Sequence, residues 1–505
     1  MLRRVLTAGA DMEGVYAQML QRIREQKGGR STLGVKALIW LSHSERQLRI
    51  DELCHALAVG IGSTHSALEN IPSENAVLES CLGLVEVDKE TSTLRLIHHS
   101  LHEYLSHPGI LPNAHKTLAQ TCLAHLNSKQ VKGLRADRFP NLRDMPFLEY
   151  SVLYWGSHAK VEISDCVKSL AMQHLGQYDN HISATLLFNQ RLGYDSPPII
   201  DHLFSGLHCA CYFGIVEVVT ALIETKGCDV NQGDCKGFTP LMWATWRGNE
   251  AVVRLLLARD DIDPNKADND GRTPLWHASS NGNESLIRLL LTRDDVIPDK
   301  PDSNGQTPFS CASGGGHEGP ARLLLTRNDV NPNKPDNNGQ TPLWHASSNG
   351  NESVVRLLLG RDDVIPDRPD NSGRTPLWCA SGGGYEGVVR LLFTRSDINP
   401  DKPDNDGRTP LWPASLNGNE SVARLLLERG DVDPDKPDNY GRTLLWWASG
   451  SGKKEVVAQL LEHRGVNPDQ PDIIGRTPLL IASMNGHREI VALLQLRMAE
   501  VSGVD

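Results

Sequence analysis

The stretch GRTPLWHASSNGNESLIRLLLTRDDVIPDKPDSN occupies residues 271–304, and close copies of it begin at 305, 339, 373 and 407. Its opening glycine recurs at Gly237, Gly271, Gly305, Gly339, Gly373, Gly407, Gly441 and Gly475, always 34 residues apart, with Leu444 in place of the proline in the copy at 441. One period further back, SGLHCACYFG (205–214) aligns with TPLMWATWRG (239–248), so a degenerate copy begins near Leu203 and brings the total to about nine. Two lineages alternate. The copies at 271, 339 and 407 share Asn-Gly-Asn-Glu-Ser, whereas those at 305 and 373 share Cys-Ala-Ser-Gly-Gly-Gly, so the duplicated unit reads as a pair.

Each copy predicts the same local structure. Thr273 is an N-cap hydroxyl and Pro274 suits the first helical position, where a missing N–H is harmless. Leu275 and Ala278 share a face, and Gly282 ends the short helix by accepting a left-handed backbone. A second helix follows, with Leu286, Ile287, Leu289, Leu290 and Leu291 apolar. Val296 to Gly305 holds prolines at 298 and 301 and cannot be helical, and its Asn-Gly end signals a hairpin, so it is expected to project as a finger. Pro413 and Pro320 fall in the first turns of their helices, where proline is tolerated. One such unit cannot bury its apolar faces alone, but stacked copies build a continuous core.

The pattern Gly-Arg-Thr-Pro-Leu-Trp-x-Ala, with Val-Val-Arg-Leu-Leu-Leu later in the unit, resembles the ankyrin repeat over roughly 203–498. The resemblance implies a mainly α protein with an ankyrin-repeat solenoid of about nine 34-residue units. The usual histidine of that pattern is replaced by Trp276, Trp344, Trp378, Trp412 and Trp446 and survives as His208. Its hydrogen bonds are therefore expected to be lost, with aromatic packing along the stack replacing them.

Residues 1–200 lack this period. Segment 32–59 reads as two amphipathic helices, 74–81 as a third, Leu84–Val87 and Leu94–Ile97 as a hairpin, and HSLHEYL as a further helix. The landmarks Ala37-Leu-Ile-Trp-Leu, Cys81-x-Gly-Leu-Val and Ile97-His-His-Ser-Leu-His-Glu-Tyr-Leu resemble the winged-helix segment of GPI inositol-deacylase type that follows the NACHT domain in fungal NLR-like proteins. Pro146-Phe-Leu-Glu-Tyr and Trp155-Gly-Ser-His-Ala resemble the helical connector placed before their ankyrin array. The expected division is a helix within 1–30, a winged helix at 31–107, a helical connector at 108–202 and ankyrin repeats at 203–505. In that family the repeats are the sensor and the NACHT domain, expected to be absent from this chain, is an NTPase switch.

Chemistry is suggested in two places and then fails. His102-Glu103 lacks a histidine at the spacing of a zinc helix, because His107 lies five residues on, about 140° round; the cluster His98, His99, His102 and His107 is read as capping and packing. GSGK (450–453) lacks the first glycine and the hydroxyl of a phosphate loop and is read as an interhelix turn. No cofactor or metal is expected, and no enzyme. Lys plus Arg number 51 against 62 Asp plus Glu, a formal charge of −11. Between Ser31 and His107, Lys36, Arg46, Arg49, Lys89 and Arg95 face ten carboxylates, Glu69 among them, which opposes phosphate contact. Scattered cysteines and the lack of a long apolar run point to the cytoplasm, away from any membrane. A DNA-binding regulator and an enzyme with a site in 108–202 stand as the alternatives.

The expected function is protein recognition. The resemblance implies a concave face formed by finger tips and first helices. Its candidate contacts here are Asp270, Arg272, Asn304, Gln306, Asn338, Gln340, Ser372, Arg374, Asp406, Arg408, Tyr440 and Arg442, with Arg408, Tyr440 and Arg442 favoured because Arg and Tyr dominate hot spots.

Overall fold

The computed structural model describes residues 12–60, 71–88, 90–134, 144–178, 181–192 and 203–502, which form two compact units, Met1–Asp263 and Pro264–Asp505. The start of the 1–30 segment, parts of the 108–202 connector, Glu69 and Lys89 lie outside the described residues.

In the first unit, α1 (Met12–Arg24), α2 (Arg30–His43), α3 (Ile50–Ala58) and α4 (Glu74–Ser80) precede a hairpin of β1 (Val85–Asp88) and β2 (Thr93–Leu96), and α5 (His99–Ser106) follows. The strands are antiparallel with Val85 opposite Leu96 and Asp88 opposite Thr93, and a bridge from Arg49 to Thr93 ties the start of α3 to the wing. Leu38, Leu53, Val77, Leu101 and Leu105 form the core beneath them. His98 caps α5, its side chain accepting from the Ser100 N–H. Next come α6 (Ala114–Leu126), α7 (Lys129–Lys132), α8 (Pro146–Val161), α9 (Asp165–Leu175) and α10 (Ile182–Leu192). The first repeat packs closely on this region: a Cβ at Gly156 of α8 would overlap the ring of Phe213, and one at Gly206 would lie 2.4 Å from the Leu175 carbonyl.

Helix pairs then repeat. The first unit holds α11 (Gly206–Phe213) with α12 (Val216–Ile223) and α13 (Pro240–Trp246) with α14 (Glu250–Leu257). The second unit, hereafter the array, holds α15 (Pro274–Ser280) with α16 (Glu284–Leu290), α17 (Pro308–Gly314) with α18 (Glu318–Leu324), α19 (Pro342–Ser348) with α20 (Glu352–Leu359) and α21 (Pro376–Gly383) with α22 (Glu386–Leu392). It continues through α23 (Leu411–Leu416) with α24 (Glu420–Leu427), α25 (Leu444–Gly450) with α26 (Lys454–Glu462) and α27 (Pro478–Met484) with α28 (Arg488–Ser502). Thr273, Thr307, Thr341 and Thr375 cap their helices as the sequence predicts, each hydroxyl accepting from an N–H three residues on. Leu286, Ile287 and Leu290, and their counterparts in later copies up to the half-buried Val491 of the last, are buried between pairs.

The two lineages interlock as unlike neighbours. Asn349 and Asn351 both donate to the Gly314 carbonyl of the preceding copy at 2.8 Å, and Asn417 and Asn419 do the same to Gly382 at 2.8 and 2.9 Å. At the alternate interfaces rings do this work: a Cβ on Gly282 would meet the His317 imidazole, and one on Gly350 the Tyr385 ring. Those glycines also have φ of +69° and +74°, so two independent constraints exclude a side chain.

The fingers turn without a strand ladder among the described residues; an aspartate organises each one, buried in all of them except at the half-buried Asp404. Asp268 Oδ1 accepts from the N–H groups of Asp270 at 3.0 Å and Arg272 at 2.8 Å, while its own N–H donates to the Arg272 carbonyl at 2.9 Å. The surviving histidine bonds forward, His208 Nε2 to the Gln232 carbonyl at 2.9 Å. At Trp276, Trp344 and Trp378 the buried indole Nε1 has no partner, so the expected loss holds there, whereas Trp446 Nε1 donates to the Arg476 carbonyl at 2.9 Å and corrects it for that copy. The residue after the tryptophan makes a separate bond to the finger aspartate: His277 Nε2 meets Asp268 Oδ2 at 3.0 Å and His345 meets Asp336 at 3.1 Å. Elsewhere the donor to this carboxylate is Trp243, Trp447, Arg374, Arg442 or Arg476. Packing of indole on indole along the stack is found where Trp412 meets Trp447 edge to face, ring centres 6.2 Å apart; arginine guanidinium groups also cover the series, as described below.

Pro413 is accommodated at a cost. It stands at the position of His277 and His345, and its helix α23 starts late, at Leu411, with no side-chain cap. The Trp412 N–H turns to the Thr409 carbonyl at 3.0 Å instead. Pro413→His restores a backbone donor, the Thr409 cap and a donor to Asp404. It is expected to raise stability by about 2 kcal/mol, measured as the urea midpoint of the full chain.

Candidate protein-interaction face

The predicted contact residues fall into two sets. Asp270, Asn304, Asn338, Ser372, Asp406 and Tyr440 sit exposed at the finger tips. Their carbonyls are committed, each accepting from the next finger: Ser303 on Asp270 at 2.8 Å, Asn337 on Asn304 at 2.9 Å, and so on to Ile473 on Tyr440 at 3.1 Å. Beside this chain of bonds runs an asparagine ladder, in which the side chains of Asn337, Asn371, Asn405 and Asn439 donate to the carbonyls of Ser303, Asn337, Asn371 and Asn405 at 2.8 to 2.9 Å. The tips are thus fixed by backbone and ladder, and their side chains stay exposed, although Asp270 and Asp406 pair with Arg272 and Arg408 at 3.1 and 3.2 Å and Tyr440 lies against Arg442.

Arg272, Gln306, Gln340, Arg374, Arg408 and Arg442 are half-buried on the inner flank of the fingers. Their arginines lie over indoles. Arg272 is 4.8 Å from the Trp276 ring centre, Arg374 lies between Trp344 and Trp378 at 5.9 and 5.7 Å, and Arg408 lies between Trp412 and Trp447 at 5.8 Å from each. Arg442 covers Tyr440 at 4.5 Å and Trp447 at 4.7 Å. A partly desolvated guanidinium on an aromatic face is worth about 0.5 to 2 kcal/mol and loses little further freedom on binding. Beneath them Asp370 and Asp438 are buried, paired with Arg374 at 2.9 Å and Arg442 at 2.7 Å. Burial works to raise the Asp438 carboxyl, but the Arg442 guanidinium and backbone N–H groups outweigh it and hold it below the usual range.

Four residues of this face escaped the sequence reading. Arg476 repeats the Arg442 position and lies 5.2 Å from the Trp446 ring. Ile473, Ile474 and Met484 are 70, 66 and 65 % exposed; the preceding copies carry Asn439, Tyr440 and Gly450 at these positions. The 34-residue period alone points to Arg476 and Ile474, one repeat beyond Arg442 and Tyr440.

Two-helix units bound to their neighbours through fingers, behind a helical region with a two-stranded wing, define a repeat protein of the helix-pair-and-finger class. The family described as Ankyrin repeats (3 copies) matches residues 164–268, 261–336, 321–404, 364–438, 396–472 and 431–502, and the chain belongs to the ankyrin-repeat family. The match opens at 164, at the cap of α9, ahead of the Leu203 to which the 34-residue period was traced. The family described as GPI inositol-deacylase, winged helix domain, matches residues 16–113. No curated protein matches the chain. The repeats make it a protein–protein interaction scaffold, and no helix among the described residues is long and apolar enough to cross a membrane.

Proposed function

We propose that the chain is the recognition portion of a fungal NLR-like receptor, a non-enzymatic cytoplasmic protein that holds a protein ligand on the concave face of its ankyrin repeats. The observation that carries this reading is the row of tips whose backbone is fully bonded and whose side chains are exposed. The division into a helix within 1–30, a winged-helix hinge at 31–107, a connector at 108–202 and repeats from 203 belongs to the same proposal. So does the absence of nucleic-acid binding, which is supported by the occupation of two winged-helix arginines, Arg46 by Glu52 at 2.6 Å and Arg95 by Glu86 at 2.8 Å.

Site-specific photo-crosslinking in cells tests the face. Crosslinkers at Asn304, Asn338, Asp406 and Tyr440 are expected to trap protein adducts that a crosslinker at Arg288, on a second helix, does not. Equal trapping from both positions would remove the concave-face reading. The receptor reading is checked on the transcript, where a phosphate-loop NTPase domain is expected upstream of the codon for Met1.

A further inference from the structure

We propose that the fingers form a docking row for an acidic, extended segment of a partner protein, with Arg374, Arg408, Arg442 and Arg476 receiving carboxylates and Tyr440, Ile473 and Ile474 seating an apolar residue at one end. This rests on the concave-face reading above and names the chemistry of its ligand. These four arginines are consecutive, one per repeat, and each lies over an indole. In Arg374, Arg442 and Arg476 the Nε and Nη2 groups are spent on Asp370, Asp438 and Asp472, which leaves Nη1 for a second carboxylate. Arg408 has a buried Nε without a partner. The side chains keep 36, 34, 18 and 36 % of their surface in chain order, so they are held but reachable.

Spacing selects the ligand. Packed helices lie about 8 to 10 Å apart, and an extended chain advances about 3.3 Å per residue, so a carboxylate at every third position meets successive arginines. A strand running in this way also brings its end to the tips of the last two fingers, where Tyr440 is 56 % exposed and bonded through its carbonyl to Ile473. A nucleic acid fits less well. Its phosphates are more closely spaced than carboxylates at every third residue, so some would pass Asp406, which lies 3.2 Å from Arg408.

The test is fluorescence anisotropy on the full chain at moderate salt with three labelled probes. One is a peptide with glutamate at every third position and a Leu-Phe end, one is its isomer with the glutamates contiguous, and one is a single-stranded RNA of equal charge. The spaced peptide is expected to bind about tenfold more tightly than the isomer and the RNA. R374Q/R408Q/R442Q/R476Q is expected to weaken it by about tenfold or more, and R408Q alone by about threefold. Glutamine suits the position, because Gln306 and Gln340 already occupy it above Asp302 and Asp336; R408Q in addition breaks no pair with a buried aspartate. R288Q leaves binding unchanged. Equal affinity for the two peptides, indifference to the quadruple variant, or tighter RNA binding overturns the proposal. Adducts trapped at the tips while the spaced peptide fails would end this inference and leave the scaffold reading standing; failure of both would end both.

Discussion

The variant D299N/D367N/D401N/D435N is expected to unfold at a temperature about ten degrees above the natural chain. These four aspartates share one position in the 34-residue period, and in each of them Oδ1 is buried without a hydrogen-bond partner. Three copies already carry the remedy. At the same position Asn265 donates through Nδ2 to the Asp295 carbonyl at 2.6 Å and accepts from the Ile297 N–H at 2.8 Å, and Asn333 treats Asp363 and Ile365 likewise; Asn231 does the same with Asp261 and Asp263. A carboxylate keeps only the accepting half, as when Asp401 Oδ2 takes the Asp433 N–H at 2.7 Å. Its other oxygen then faces the place where a carbonyl expects a donor. Satisfying one such atom is worth about 1 kcal/mol or more, and each kcal/mol moves the melting point of a domain this size by about 2 to 4 °C.

The lysines are not lost with the charge. Lys334, Lys402 and Lys436 also donate to the main-chain carbonyls of Asp299, Asp367 and Asp401, at 2.7, 2.7 and 2.9 Å. Burial raises the carboxyls of all four aspartates above their ordinary range. A raised carboxyl favours the fold where it is protonated and loses that contribution as pH rises through the folded value. The gain from asparagine is therefore largest near neutral pH and shrinks as the pH approaches 4. Calorimetry of both chains at pH 7 and pH 4 checks size and trend together.

Acid acts in the opposite sense on the first unit. His158, His174 and His181 are buried there and His125 is half-buried with its Nε2 enclosed, and desolvation pushes His125 and His181 down to about 4, His158 to about 3, and His174 well below its ordinary value. His158 is locked neutral between the Tyr150 hydroxyl and His115, each at 3.0 Å. Folded, these rings carry no proton near pH 6; unfolded, each takes one up near 6.5. The unfolded chain thus binds more protons below 6.5, and stability falls with pH until the folded values near 4 and 3 are reached. His125, His158 and His181 each remove about 2 kcal/mol by pH 5 and His174 acts in the same direction, so together they take up much of the stability of a domain. Tryptophan fluorescence from Trp40 and Trp155 is expected to report unfolding in mild urea at pH 5 but not at pH 7.5. His174, whose Nε2 is buried without a partner, offers the control: H174L should flatten the pH dependence by one proton's worth.

Much of this was legible in the sequence. Helix starts at Thr-Pro, the positive-φ glycines and the wing at 85–96 follow from local chemistry, so reading them needed no tertiary knowledge. What stayed hidden lies between copies. That His277 would bond Asp268 while the Trp276 Nε1 stays without a partner depends on which face of a seven-residue helix meets the finger. That Arg374 would bridge Trp344 and Trp378 depends on the offset between neighbours 34 residues apart. The candidate contacts were legible as positions, since tip residues recur with the period, but not as a division of labour between exposed tips and arginines already engaged with indoles and aspartates. Ile473 and Ile474 were passed over because apolar residues at a hairpin tip look like core until their exposure is known.

The unlike fit between neighbouring copies bears on how such a gene changes length. Excising a single repeat would set an asparagine clamp against a segment shaped for a ring, or the reverse, and the new junction would lose its bonds. Among the alternating copies from 271 to 440, excising or inserting two restores each junction to a form the chain already uses, so length variants within that stretch should differ by even numbers of copies.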